Sequence, residues 1–224
     1  MCGIGFYPIP FLLLIPASDY AFLICYMTVE LLKDVCCQDR RINLFTLEQV
    51  LILALEIARE GREGRKIGTL FVLSDSEEVL KRSRCIILDP LKGHPDNLKR
   101  IDDPNMRETI KELAQLDGAF IVSDDGVVIS ACRYINALSD GINLPLGFGS
   151  RHMAAASITK ETSAVAVVVS ESSIVRIFDD GELVSEIIPE IWMISRYSHH
   201  LKGKFTHKSS HNLTVVSKKS LKEG

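Results

Sequence analysis

Two Asp-Asp-Gly tripeptides, Asp124-Asp125-Gly126 and Asp179-Asp180-Gly181, constrain the fold of this chain more than any other feature. Each stands between two short apolar runs, residues 119–123 and 127–131 around the first, 174–178 and 183–187 around the second. Asp-Gly between such runs signals a hairpin, because the tight turn needs the positive φ that Gly and Asp tolerate. A hairpin makes its two strands antiparallel neighbours, so any sheet built here has at least two antiparallel pairs. Residues 165–169 are a third apolar run, joined to the second hairpin through Glu171-Ser172-Ser173, which predicts a meander.

Helical periods are interleaved with these strands. Leu47, Val50, Leu51, Ala54, Leu55 and Ala58 recur at i, i+3, i+4, i+7, i+8 and i+11, one apolar stripe. Thr46 is placed to cap that helix and Gly61 to stop it. Met106, Ile110 and Leu113 share a face of a second helix over 106–115, and residues 151–158 form a short alanine-rich third. Residues 69–73 and 84–88 read as further strands. Pro90, Gly93 and Pro95 break the stretch after them into a long loop. Helices alternating with adjacent hairpins predict an α/β fold, a single layered domain with a central mixed β-sheet flanked by helices. No internal repeat is visible.

The flanks differ in character. From Gly3 to Met27 only Asp19 is charged. A membrane helix needs about 20 consecutive apolar residues, and Pro8, Pro10, Pro16 and the Ser18-Asp19 pair interrupt this run. No basic region precedes it, so a signal peptide is not expected. Residues 1–44 are read as an apolar segment, the remnant of a leading domain, with membrane association through residues 1–27 as the alternative. Residues 45–190 are the folded domain. Residues 191–224 lose periodicity and gather Lys, Ser and His, as a flexible basic tail does.

A net charge of -3 implies no global attraction to nucleic acid, and none is expected as a partner. None of the six cysteines forms a Cys-x-x-Cys pair, which suits reduced thiols in a cytoplasmic protein. The loop Gly61-Arg62-Glu63-Gly64-Arg65-Lys66 is glycine-rich and basic but lacks the spacing of a phosphate-binding loop. No Gly-x-Ser-x-Gly frame supports a serine hydrolase, and zinc-ligand spacings are missing.

Three places carry the residues for phosphate and metal chemistry. Asp117-Gly118 stands where a helix gives way to a strand. It is read either as a plain turn or as a carboxylate for a metal or hydroxyl beside backbone that a ligand approaches. Gly147-Phe148-Gly149-Ser150-Arg151-His152 opens a helix, where free N–H groups attract anions. Ser150 is placed to cap it, and Arg151 adds a planar fork suited to phosphate. Its other reading is an ordinary cap with two solvated side chains. It is not a dinucleotide fingerprint, because His152 stands where the third glycine belongs. Ser170-Glu171 ends an apolar strand, as a hairpin turn or as a carboxylate for a hard cation.

Taken together and in order, Leu116-Asp117-Gly118-Ala119, Gly149-Ser150-Arg151-His152 and Ser170-Glu171 resemble the diadenylate cyclase domain family. The resemblance extends over about residues 46 to 188 and includes Glu56-Ile57-Ala58-Arg59-Glu60-Gly61. It implies condensation of two ATP molecules into cyclic di-AMP with Mn²⁺ or Mg²⁺, at a face-to-face dimer of cyclase domains. It implies that Asp117, Arg151 and His152 are catalytic. By the same resemblance Gly118, Ala119, Gly149, Ser150, Arg151, His152 and Ser170 bind ATP, and Asp117 and Glu171 hold the metal. Two positions depart from the family pattern. Met153 stands where a second arginine is frequent, and Ser172 stands where a second glutamate is frequent. A nucleotide-binding sensor on the same domain and a membrane-associated interaction protein are the competing functions.

Overall fold

The computed structural model describes residues 42–136, 141–188, 205–210 and 213–218. Four helices are described: α1 Leu44–Glu60, α2 Ser76–Lys81, α3 Pro104–Leu113 and α4 Ser150–Glu161. Nine strands are described: β1 Thr69–Leu73, β2 Ser83–Cys85, β3 Ala119–Val122, β4 Val128–Ile135, β5 Val165–Val169, β6 Val175–Asp179, β7 Glu182–Ile188, β8 Phe205–Ser210 and β9 Leu213–Lys218. They form one mixed sheet in the order β2-β4-β3-β1-β5-β6-β7-β9-β8. Only β1 and β3 run parallel; every other pair is antiparallel. Both expected hairpins and the meander are present, as is the mixed sheet.

The sheet is covered on both faces, which is why β1, β3 and β5 read as unbroken apolar runs. Phe71 and Leu73 of β1 face α1 and α3 with Phe120, Val167, Val169, Val175 and Ile177. Leu70 and Val72, from the same strand, face α2 and α4 with Ile121, Val168 and Phe178. Period-2 alternation thus splits each strand between two cores. The small side chains of Ala155 and Ala156 bring α4 close to the sheet, while α1 is buried beyond its stripe, Ile52 and Leu53 included.

Several boundaries differ from expectation, each for a local reason. Asn43, not Thr46, caps α1, its side-chain oxygen accepting from the Phe45 and Thr46 N–H groups at 3.0 and 3.4 Å. Thr46 is buried and its hydroxyl donates to the Asp124 carbonyl at 2.8 Å, tying α1 to the first hairpin. Gly61 does end the helix, at φ 60, where a Cβ would fall 2.2 Å from the Arg65 carbonyl oxygen. Strand β2 stops at Cys85. The Ile86 N–H still donates to the Cys132 carbonyl at 3.0 Å, and Asp89 then takes the Ala131 N–H and the Ser130 hydroxyl on its carboxylate, so a side chain replaces the ladder that residues 87 and 88 were expected to continue. Helix α2 was not expected. In the region read as an aperiodic tail, residues 205–210 and 213–218 are strands, with β9 paired to β7.

Candidate functional site

Topology brings the three motifs to one edge of the sheet. Asp117-Gly118 immediately precedes β3, and Gly68 immediately precedes the parallel β1. Ser170-Glu171 immediately follows β5, which runs antiparallel to β1, so its end lies beside β1's beginning. Helix α4 leads back into β5, which returns its N-terminus to that same edge.

There Arg151 stands between two carboxylates. Its Nη2 donates to Asp117 Oδ1 at 3.2 Å, and its Nη1 donates to Glu171 Oε1 at 3.4 Å. Asp117 and Glu171 are largely exposed, with side-chain accessibilities of 85% and 71%, against 31% for Arg151. Charges so hydrated gain little from pairing with one another and are accessible to an incoming charged ligand. Gly68 makes room for them: a Cβ there would lie 2.9 Å from Arg151 Nη1 and 3.3 Å from Glu171 Cγ.

Gly118 has a role inside the protein. At φ 113, a Cβ would meet the Cys132 carbonyl carbon at 2.6 Å and the Arg133 nitrogen at 2.7 Å. The missing side chain admits strand β4, which bulges there with Cys132 at φ 54. Ala119 is buried as the first residue of β3, facing the α4 side of the sheet. Gly149 is the N-cap of α4 with no side-chain cap bond, and Ser150 is the first helical residue rather than its cap. Among the described residues, the side chain of this helix start that donates hydrogen bonds to Asp117 and Glu171 is that of Arg151. Ser170 spends its hydroxyl in the β5–β6 turn, where it accepts from the Ser172 N–H at 3.2 Å and lies 2.8 Å from the Ser172 hydroxyl. That turn is what presents Glu171.

His152 is not brought to the carboxylates. Neighbours on a helix are about 100° apart around the axis, so Arg151 faces the open edge while His152 turns toward the sheet. Its ring is buried, stacked on Phe148 at 4.6 Å and edge-on to Phe178 at 6.1 Å. Its Nε2 lies 3.1 Å from Arg176 Nη1. The expected Arg151–His152 phosphate clamp is therefore divided: one residue at the edge, one beneath it.

Sequence reasoning passed over Gly68, Arg176 and Glu186. Arg176 Nε donates to Glu186 Oε1 at 2.7 Å, both side chains at 5% exposure or less, on directly paired positions of β6 and β7. A signal was available in the chain itself: opposite charges inside apolar strands, on either side of Asp179-Asp180-Gly181.

Two carboxylates flanking an arginine fit a divalent cation that takes its remaining ligands from a nucleotide's phosphates, which is how Mg²⁺ is commonly held. Among the described residues, no group of three or more His, Cys, Asp or Glu side chains forms a metal site of protein ligands alone.

The family model described as the DisA bacterial checkpoint controller nucleotide-binding domain, DAC, matches residues 56–183, more than half of the chain. A diadenylate cyclase of Methanocaldococcus jannaschii is 50% identical over 145 residues, covering 64% of this chain and 46% of that protein. A diadenylate cyclase of Haloferax volcanii is 38% identical over 148 residues, covering 65% of this chain and 54% of the relative. The DNA integrity scanning protein DisA of Clostridium acetobutylicum is 32% identical over 126 residues, 54% of this chain and 32% of the relative. The chain spans about half the length of the two cyclases it matches. The matched region contains Asp117, Arg151 and Glu171 together with the first hairpin and the turn of the second, and on that match the chain belongs to the DAC nucleotide-binding family.

Proposed function

We propose that this chain condenses two ATP molecules into cyclic di-AMP, releasing two pyrophosphates, with each of two chains in a face-to-face dimer contributing one half of the site. The observation that carries this reading is the meeting of Asp117, Arg151 and Glu171 at one exposed edge. Two relatives bearing the name diadenylate cyclase support it.

In each half-reaction the 3′-oxygen of one ATP forms a bond to the α-phosphorus of the other. The α–β phosphoanhydride breaks, and the hydroxyl proton passes to solvent or a nearby base. The second, reciprocal attack closes the ring. Catalysis of this kind is largely positioning and charge compensation. Arg151 exchanges its carboxylate partners for phosphate oxygens, a stronger match for its planar fork. Asp117 and Glu171, released by that exchange, are the residues to hold Mn²⁺ or Mg²⁺, which when bound supplies charge neutralisation on the phosphates. Gly118, Gly149, Ser150 and Ser170 act by shaping backbone around the nucleotide.

The reaction is placed in the cytoplasm, where ATP is made. Cys85 and Cys132 are free thiols, which agrees with a reducing compartment. Among the described residues no helix is long and apolar enough to cross a membrane, and residues 1–27 lie outside the described residues.

The test is incubation of the full chain with ATP and Mn²⁺ or Mg²⁺ and mass detection of the product. Cyclic di-AMP is expected from the wild type and none from Asp117→Asn, whose nearly isosteric side chain keeps the fold. ATP binding without any cyclic product would assign the chain to the sensor reading instead. Product from a folded Asp117→Asn protein would remove Asp117 from the site.

A further inference from the structure

Gly118, the residue after Asp117, is seated directly on strand β4. A Cβ there would lie 2.6 Å from the Cys132 carbonyl carbon, 2.7 Å from the Arg133 nitrogen and 2.8 Å from the Cys132 Cα. Ala119 pairs with Arg133 and Ile121 with Ser130, so β4 spends one more residue than β3 over that interval. The irregularity falls at Cys132, whose φ of 54 lies in the left-handed region that non-glycine residues rarely adopt. Such backbone persists only where its surroundings fix it. Bulges of this kind also serve beside active sites to re-aim a side chain.

Contacts on both sides fix this one. Before the bulge, Asp89 accepts from the Ser130 hydroxyl at 2.5 Å and the Ala131 N–H at 3.3 Å. At the bulge, the Cys132 carbonyl accepts from the Ile86 N–H. After it, the Arg133 side chain reaches across to the edge of the sheet. Its Nε donates to Ser83 Oγ at 3.2 Å, and its Nη1 to Cys85 Sγ at 3.0 Å. Its Nη2 donates to the Leu80 carbonyl at 3.1 Å and the Ser83 carbonyl at 3.0 Å. One guanidinium thus ties the end of α2 and the whole of β2 to β4. That takes a planar fork with several donors at fixed angles, which an ammonium does not have.

A cation paired with Ala119 could be read as a further phosphate ligand. All three of its side-chain nitrogens instead bond to groups on α2 and β2. The Asp117 carboxylate is 85% exposed, so its direction is set by the backbone that carries it rather than by packing around it.

We propose that Arg133 is a positioning residue: by tying β2 and α2 to β4 it holds the Cys132 bulge as the seat of Gly118, and so aims the Asp117 carboxylate at its metal without touching nucleotide or metal itself. That Asp117 aims at a metal rests on the ATP-cyclising reading; the seating of Gly118 does not.

Two variants test this. Arg133→Met removes the charge and the fork, and Arg133→Lys removes the fork alone. The first measurement is amide NMR of the full chain without ligand. Both variants are expected to move the Asp117 and Gly118 signals and to speed solvent exchange of the Ile86 N–H about tenfold. The Val167 and Ile177 amides, on β5 and β6, should stay as in the wild type and report an intact sheet. Should Arg133→Met fail to fold, Arg133→Lys decides the matter. Unchanged Asp117 and Gly118 signals in folded Arg133→Lys overturn the seat.

The second measurement is affinity for ATP with Mn²⁺ and without metal, in Arg133→Lys, in Asp117→Asn and in both together. Arg133→Lys is expected to lose Mn²⁺–ATP affinity about tenfold and metal-free ATP affinity less than twofold, with the combined protein no weaker than Asp117→Asn alone. Additive losses, equal losses with and without metal, or a folded Arg133→Lys that binds Mn²⁺–ATP as the wild type does, overturn the positioning role. Binding is read without turnover, so a chain that binds Mn²⁺–ATP but makes no cyclic di-AMP refutes the cyclase reading and leaves the coupling of Arg133 to Asp117 standing.

Discussion

Arg151 is the residue on which the site turns, since its guanidinium bridges Asp117 and Glu171 from the first turn of α4. Arg151→Ala removes the bridge and leaves two exposed carboxylates facing each other across the Gly68 gap. Because charged hydrogen bonds are worth about 1.5–3 kcal/mol, ATP affinity or turnover is expected to fall roughly tenfold to a hundredfold. Adenosine, which lacks phosphate, should bind nearly as before. Calorimetric titration of both ligands decides it; equal losses would mean the helix start has collapsed rather than that a phosphate contact is gone. Asp117 and Arg151 are legible in the sequence because each stands beside glycines at an element boundary. Gly68 is not, because what it makes room for lies on two other elements, 83 and 103 residues farther along the chain at Arg151 and Glu171.

At the scale of elements, α1 and α3 are joined along their polar edges by a cluster of charges. Arg107 Nη2 donates to Glu56 at 2.6 Å, and Lys111 Nζ lies 3.1 Å from Glu56, 3.3 Å from Glu60 and 3.0 Å from Glu108. Burial pulls the Lys111 ammonium down. The hydrogen bond to Glu108 and the charge and hydrogen bond of Glu56, with the charge of Glu60, outweigh it and hold the group above the ordinary lysine range. A raised folded value means that Lys111 stabilises the fold fully below the unfolded value, about 10.4. That contribution is lost as pH rises through the folded value. The melting temperature of the wild type should therefore exceed that of Lys111→Met at pH 8, with the gap closing above about pH 10.5. A gap that stays constant into strong alkali would show that Lys111 acts by packing its methylenes alone. The stripe Leu47 to Ala58 announces α1, but the partners of its polar edge do not follow from that stripe.

At the scale of the whole molecule, one chain holds one set of site residues and no internal repeat, while the proposed product would join two ATP molecules that each attack and are attacked. A symmetric pair of chains meets that requirement with one half-site apiece. If the pair is weak, initial rate should rise with the square of protein concentration at low concentration and become linear once pairing saturates. Rate and mass measured together over a dilution series test this; full activity per chain in verified monomers would sink the face-to-face arrangement. The far side of the sheet makes a separate prediction. Strand β9 pairs with β7 over Ser185–Ser217 to Ile188–Thr214. A chain ending at residue 190 leaves that edge of β7 open. It should melt at a lower temperature yet retain turnover at 25 °C in its folded fraction, because Asp117, Arg151 and Glu171 lie before the cut. Loss of turnover without loss of folding would show that the C-terminal strands order the site.

Local chemistry determined much of this protein. The hairpins at Asp124-Asp125-Gly126 and Asp179-Asp180-Gly181, the helix ended by Gly61 and the mixed α/β layering follow from turn geometry and hydrophobic period, which act within a few residues. The carboxylates and the arginine were visible for the same reason. Only the tertiary structure decided that β1 and β3 run parallel beside an antiparallel β5, which is what carries Gly68, Asp117 and Glu171 to one edge. It also separated two adjacent residues by function. Arg151 and His152 are neighbours in sequence, but helix geometry sends one to the open edge and the other to Arg176 beneath it. A pattern along the chain records which groups are present. Which of them meet depends on strand order and helix phase, and those are settled by burying both faces of the sheet at once.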